Sequence, residues 1–345
     1  MTLLTPADPR PVHFVGATGA GMSALAELLA RRGVRVTGCD ANPASTSDLE
    51  RVGVVVSRGH DPAHVEGAKA LVVTSAMPAT HPELVRARSL GIPVIRRAEA
   101  LAQAVSVGRL IAVAGTHGKT TTTVMATEAL AAAGLDPTGV VGGRVPEWGG
   151  NLRLGGNALF VVEADEYDRS FLALAPDVAV VTNVEADHLD IYRDLADIRD
   201  AFGRFIRGAR TIVACADDPG ADTLAMPAAA EVIRYGIASP NARLVARDLR
   251  AAGPGAAAGS RFDVALDGES LGEVALGVPG RHNVLNALAA VACGLAVGAT
   301  VDAMAPGLAA FRGVERRFQR LGEARGVTVV DDYAHHPTEI RATLA

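Results

Sequence analysis

Residues 111–123 read IAVAGTHGKTTTT, an apolar strand running into a Gly-Thr-His-Gly-Lys-Thr turn and then a threonine run that opens a helix. Backbone N–H groups around Gly115–Gly118, together with the positive end of the following helix, favour an anion. Lys119 adds a mobile positive charge for β- and γ-phosphates, and Thr120 sets a hydroxyl where a nucleotide-bound Mg²⁺ would sit. The strict pattern G-x-x-x-x-G-K-[ST] is not met, because Val113 stands at its first glycine position. The shorter G-T-x-G-K-T form keeps the Gly-Lys-Thr core in a strand-turn-helix context, so the stretch reads as a cradle for ATP or a close relative.

Upstream of the cradle, VHFVG, VRVTGCD, VGVVVS, ALVVTSAMP and IPVIRR are short apolar strands separated by helix-like intervals such as MSALAELLARRG. Strands alternating with helices of this length predict a parallel sheet with right-handed crossovers. A second alternation starts at Leu110 and runs through ALFVVEADE and VAVVTNVEADH, whose continuous apolar cores suit strands buried on both faces. A strand-rich stretch follows (EVIRYG, ARLVARDL, RFDVAL, GEVALG), interrupted at 251–260 by AAGPGAAAGS, which reads as a surface loop. NVLNALAAVACGLAVG is a buried helix, and VTVVDDYAHHP begins a last strand that is expected to lack partners of its own.

The 345 residues exceed one ordinary core. The expected fold is α/β: an N-terminal Rossmann-like parallel-sheet domain at 1–107, a P-loop-type central ATPase domain at 108–318, and at 319–345 a hinge with only the start of a third Rossmann-like domain. A net charge of −5 gives no basic footprint for nucleic acid. Three distant cysteines, Cys39, Cys215 and Cys293, read as reduced structural thiols. No secretory leader and no apolar run of spanning length is present, so a soluble cytoplasmic protein is expected, with no membrane partner.

GATGAGM (Gly16–Met22) is a phosphate-binding turn of Rossmann type, with Asp40 at the end of the next strand. Thr18 takes the second glycine position of G-x-G-x-x-G, which weakens a dinucleotide reading and leaves a tight structural turn as an alternative. Ser75 lies at another carboxyl end of the same sheet, where open α/β folds bind ligands. Glu163 and His188 end the two strands that follow the cradle; a carboxylate there suits Mg²⁺, and the histidine a second cation, with Mn²⁺ able to substitute. A solvated acidic loop explains either segment alone. Arg316, Arg317 and Asp332 flank the hinge, where Arg317 would stabilise charge on a transferred phosphate and Asp332 would hold a ribose or orient the closing domain. Asn283 and Asn286 open a helix and have capping as their local explanation. His335-His336-Pro337 is a weak metal motif.

Taken in order, GATGAGM, VVTSAMP, PVIRRAE, GTHGKTTTT, EADEYDRSFL, TNVEADHLDIY, PGRHNVLNALAA, RGVERRF and DDYAHHPTE resemble the Mur ligases over essentially the whole chain. The resemblance implies an ATP-dependent carboxylate–amine ligase of peptidoglycan synthesis, working through an acyl phosphate, with UDP-N-acetylmuramate and L-alanine as partners. It implies that Gly115, Thr116, His117, Gly118, Lys119, Thr120 and Thr121 bind ATP, with Asn283 and Asn286 on the adenine side. Thr120 and Glu163 would ligate the first Mg²⁺ and His188 the second cation; Lys119, Glu163, His188, Arg317 and Asp332 form the implied catalytic set. Gly19, Ala20, Gly21, Met22, Asp40, His60 and Ser75 would line the uridine diphosphate site.

The family continues for roughly a hundred residues as a third domain. On that basis the chain is expected to bind ligands and to turn over poorly. Two departures stand out: Thr18 where the family has glycine, and Tyr167, shared with the branch that joins a tripeptide to the same sugar nucleotide. The FLAL, TNVEADH and GAGM segments fit the alanine-adding branch better. Three other readings remain at this point: a nicotinamide dehydrogenase, which leaves the cradle unused; a P-loop switch or motor NTPase, which leaves the first domain unused; and a non-catalytic nucleotide-binding remnant.

Overall fold

The computed structural model describes residues 6–43, 46–253 and 259–344. The expected loop at 251–260 therefore falls in part outside the described residues. The chain divides into two compact units, one of residues 1–107 with 140–154 and the other of 108–139 with 155–345.

The first unit contains β1 (Val12–Val15), α1 (Ala20–Arg31), β2 (Val36–Asp40), α2 (Ser47–Glu50), β3 (Val55–Arg58), β4 (Ala70–Val73), α3 (Pro82–Ser89), β5 (Val94–Arg96) and α4 (Arg97–Val105). Its five strands are parallel in the order β3-β2-β1-β4-β5. Direction reverses beside β1, so the crevice outside the carboxyl ends of β1 and β4 is the switch point of an open α/β sheet. Every residue of β1 and β4 is buried, as strands covered on both faces must be. Helix α1 turns Met22, Leu25, Leu28 and Leu29 into the core.

The second unit opens with β6 (Arg109–Ala114) and α5 (Lys119–Ala132); β7 (Thr138–Val145) begins in it and runs into the stretch grouped with the first unit, which also holds β8 (Gly150–Arg153). It continues through β9 (Leu159–Glu163), β10 (Val178–Val181), α6 (Leu195–Ile206), β11 (Thr211–Cys215), α7 (Pro219–Asp222) and β12 (Glu231–Gly236). Next come β13 (Leu244–Ala251), β14 (Ser260–Leu266), β15 (Glu269–Leu276), α8 (Arg281–Ala296) and α9 (Val301–Ala310). The chain closes with β16 (Gln319–Ala324), β17 (Val327–Asp331) and α10 (Pro337–Leu344).

From β9 the sheet runs β9-β6-β10-β11-β12-β13 in parallel, then β13-β14-β15 as an antiparallel extension. Helix α5 packs with α8 and α9, while α6 turns Phe202 and Phe205 onto Phe171, with ring centroids 5.2 and 5.0 Å apart. Among the described residues no helix is long and apolar enough to cross a membrane. Cys39, Cys215 and Cys293 are buried and unpaired, in line with structural thiols.

One expectation fails. The last strand does have a partner: β17 pairs antiparallel with β16, Ala324 opposite Val327. The two-residue loop Arg325-Gly326 has φ of 52° and 77°, the doubly left-handed geometry whose twist matches a tight hairpin. Arginine at the first of these positions hides a signal that Asn-Gly would have made plain.

Candidate functional site

The cradle forms where β6 ends and α5 begins, at the carboxyl edge of the second sheet. Two glycines are obligatory. Gly115 has φ 139°, and a Cβ there would lie 1.9 Å from Thr182 Oγ1; Gly118 has φ 79°, and its Cβ would meet Asn286 Oδ1 at 2.7 Å. Thr182, just past the end of β10, donates its hydroxyl to the His117 carbonyl at 2.6 Å, and Asn183 Oδ1 accepts the His117 N–H at 2.7 Å. The loop is thus clamped by the end of β10.

Lys119 projects back into the loop and donates to the carbonyls of Gly115 (2.8 Å) and Thr116 (3.2 Å). Its ammonium also meets Glu166 at 2.7 Å. Burial alone would depress Lys119, but Glu166, Asp165 and Glu163 outweigh it and hold the ammonium above its ordinary range. Burial raises Glu166 against the pull of Lys119. Thr120 donates to Glu163 Oε1 at 3.0 Å, so the helix start and the end of β9 present two hard oxygen donors side by side. Thr121 lies in the same first helical turn. His188, in a left-handed conformation (φ 51°), sets Nε2 3.8 Å from Glu166 and 3.8 Å from Asp187.

Asn283 and Asn286 are buried and do not cap α8. Asn286 accepts from Thr122 at 3.1 Å and packs against Gly118, while Asn283 donates to the Pro279 carbonyl at 2.6 Å. On the other flank, Glu339 of α10 lies 3.3 Å from His117 and 3.6 Å from Arg317. His117 also meets Glu185 at 3.2 Å and lies beside the His336 ring, centroids 4.7 Å apart. Burial would lower His117, yet Glu339 and Glu185 raise it; burial would raise Glu339, yet His117 and the N–H groups of His335 and His336 bring it down to about 2. Asp332 accepts from the N–H groups of Phe318 and Ala334, both at 2.7 Å, and so ties those two stretches of backbone together, while Arg316 and Arg317 lie over the Tyr333 ring.

The cradle therefore gathers Lys119, Thr120, Glu163, His188, Asn286 and, through Glu339, Arg317. Sequence reasoning did not single out Glu166, Glu185 or Glu339. Glu166 is one of three carboxylates crowded at the end of β9, after Glu163 and Asp165, with nothing in the sequence to single it out, and Glu339 had no signal without the fold.

In the first unit, Gly19 caps the N-terminus of α1, and Ala20, Gly21 and Met22 form its first turn. Asp40 ends β2, His60 follows β3 and Ser75 follows β4, so these residues share the carboxyl edge of neighbouring strands. Thr18 accounts for its own presence in the turn: both its N–H (3.1 Å) and its hydroxyl (2.6 Å) donate to Asp40 Oδ2. Those bonds help hold Asp40 below its ordinary range against its partial burial. Met22 is core, 2% exposed, and can contribute only backbone to a ligand.

Three family models match in sequence: Mur ligase family, catalytic domain, at 11–109; Mur ligase middle domain at 113–294; and Mur ligase, glutamate ligase domain, at 316–345. The UDP-N-acetylmuramate–L-alanine ligase of Acidothermus cellulolyticus is 51% identical over 339 residues, spanning 96% of this chain and 70% of that protein. The crystal structure of a UDP-N-acetylmuramate-alanine ligase from Thermotoga maritima superposes with a TM-score of 0.85 at 31% identity, covering 97% of this chain and 76% of that one. A UDP-N-acetylmuramate:L-alanyl-γ-D-glutamyl-meso-diaminopimelate ligase from Neisseria meningitides follows at 0.79 and 30%, covering 90% and 100%. The GTHGKT cradle, the two-unit α/β architecture and these matches agree, and the chain belongs to the Mur ligase family.

Proposed function

We propose that this chain catalyses, or carries the nucleotide-handling part of, the ATP-dependent joining of L-alanine to UDP-N-acetylmuramate in peptidoglycan synthesis. The observation that carries this reading is the Lys119–Thr120–Glu163 constellation at the end of β6 and β9, in a chain 51% identical to an alanine-adding ligase. We assign the UDP-sugar to residues 1–107, the nucleotide to 108–318 and the hinge with the start of a third domain to 319–345. A reaction that consumes ATP and a UDP-sugar belongs in the cytoplasm.

A carboxylate is a poor electrophile, so activation comes first. The lactyl carboxylate oxygen attacks the γ-phosphorus, the bond to ADP breaks, and an acyl phosphate results. The alanine amino group then attacks the acyl carbon; a tetrahedral intermediate collapses with loss of inorganic phosphate, and the amine gives up a proton. The barrier is largely charge repulsion between carboxylate and polyphosphate, an electrostatic task. Lys119 meets the β/γ-phosphates after exchanging Glu166 for them, and the N–H groups of 115–121 hold the phosphate chain. Arg317 approaches from the flank of His117. The Thr120 hydroxyl and the Glu163 carboxylate, 3.0 Å apart, are hard oxygen ligands that fit Mg²⁺, with Mn²⁺ as substitute and His188 on a second cation. A bound cation offsets phosphate charge and orients the γ-phosphoryl group.

Calorimetric titration tests the reading. Saturable binding of UDP-N-acetylmuramate with no binding of UDP-N-acetylglucosamine, alongside Mg-ATP binding, is the expected result. Binding of neither sugar nucleotide by a folded protein that still binds Mg-ATP would overturn the substrate. Phosphate release stimulated by L-alanine, against release stimulated by the tripeptide L-alanyl-γ-D-glutamyl-diaminopimelate, identifies the acceptor.

A further inference from the structure

The first unit holds a cluster of side chains for which the ligase reaction gives no reason. His13 on β1 stands in register with Thr37 on β2, and Cys39, two residues on, shares the same face of the sheet. Glu83, in the first turn of α3, and His64, in the helical turn Pro62–Val65, close over that face. Both Glu83 oxygens lie 3.1 Å from Cys39 Sγ, and His64 Nδ1 lies 2.8 Å from Glu83 Oε1. One donor atom from each of His13, Cys39, His64 and Glu83 falls within 4.8 Å of all the others.

Two features go beyond packing. Cys39 and Glu83 are 0% exposed and His13 is 2% exposed. Among the described residues, the ion-pair partners of the Glu83 carboxylate are two imidazoles, His64 at 2.8 Å and His60 at 3.6 Å, with no lysine or arginine. A buried carboxylate without a permanent cation is costly. His13, in turn, uses Nδ1 on Thr37 Oγ1 at 2.9 Å and leaves Nε2 buried with no hydrogen-bond partner among the described residues. With its proton on Nδ1, the ring aims a bare lone pair inward, the arrangement by which an outer hydroxyl orients a metal-binding histidine.

We propose that His13, Cys39, His64 and Glu83 form a closed four-ligand site for a zinc-class divalent cation, structural in role and separate from the nucleotide's Mg²⁺. Two imidazole nitrogens, a thiolate and a carboxylate are a borderline-soft set that suits Zn²⁺ over Mg²⁺. The charges close as well: one thiolate and one carboxylate neutralise the dication, so the buried complex is neutral. On binding, the Cys39 S–H bond breaks, its proton leaves to solvent, and the sulfur pair forms the bond to the metal. The cation would tie β1, β2, α3 and the 62–65 turn together beside His60, whose Nδ1 lies 3.3 Å from Cys39 Sγ.

Cobalt titration of the chelator-treated full chain reads this directly. The expected result is one Co²⁺ taken up with tetrahedral visible bands and a thiolate-to-cobalt charge-transfer band, both lost on adding Zn²⁺. Cys39→Ser removes the charge-transfer band, and His64→Asn weakens zinc binding at least tenfold in competition with a chromophoric chelator. His81→Asn, outside the four ligands, leaves both unchanged. His64 is half-buried at the rim, so His64→Asn is expected to keep its circular dichroism and to lose the zinc-dependent rise in melting temperature that the wild-type chain shows. Absence of tetrahedral cobalt bands in the folded wild-type chain, or a charge-transfer band that survives Cys39→Ser, overturns the site.

Discussion

Lys119 is a cation held almost out of water: its side chain is 13% exposed, and Glu166 opposite it is 3% exposed. Two loop carbonyls complete its shell, so its position is set before any phosphate arrives. Removing one member of a buried pair strands the other. Glu166→Gln is therefore expected to destabilise the chain by about 3 kcal/mol, read from urea unfolding. Lys119→Ala removes charge-assisted hydrogen bonds to phosphate and is expected to weaken Mg-ATP binding by roughly 10- to 100-fold in calorimetry. An unchanged ATP affinity would exclude Lys119 from the phosphate site. Lys119 and Thr120 were legible in the sequence because a Gly-Lys-Thr after an apolar strand has one geometry. Glu166 was not. Which of four nearby acidic side chains turns inward depends on the chain reversal at Asp168 and Arg169, whose φ values are 53° and 56°.

At the level of elements, the cradle is a strand end and a helix start with no room between them for side chains. A methyl group on Gly115 would meet the Thr182 hydroxyl and also the backbone nitrogens of Thr182 and Asn183, at 3.0 and 3.1 Å, so nothing flexible can yield. Gly118 faces only the end of Asn286, though that side chain is buried and hydrogen-bonded. Gly115→Ala is expected to cost about 3 kcal/mol or more and to abolish ATP binding. Gly118→Ala is expected to cost about 1–2 kcal/mol, chiefly from its left-handed backbone. Thermal melting of the two variants checks the order; equal losses would show that the β10 clamp does not constrain the loop. The parallel strands were legible because continuous apolar runs leave no amphipathic alternative. Strand β17 was legible from its VTVV run, but its partner β16 was hidden because QRLGEA is mostly exposed and carries little apolar pattern.

For the molecule as a whole, α10 is attached to the rest of the second unit by a small set of charges, which makes its docking sensitive to pH. Glu339 sits at about 2, below its ordinary 4.5, so its contribution is complete above 4.5 and fades as pH falls towards 2. His117 is raised from 6.5, so its contribution is complete below 6.5 and is lost as pH rises through its elevated value. The attachment is thus strongest between about 4.5 and 6.5, and Glu339→Gln is expected to flatten the profile. Hydrogen exchange of residues 337–344 across pH 3–9 measures it; a flat wild-type profile would remove the ion pairs from the account. The excursion of the chain at 140–154 into the first unit carries a further consequence, for biosynthesis. Strand β8 lies against α1, so a nascent chain that has reached residue 107 has not yet made all of that unit. The missing piece emerges from the ribosome only after the cradle strand and its helix have done so. The two units are therefore born interleaved, and a gene cut after residue 107 would encode an unfinished body whose first helix lacks the strand that packs on it.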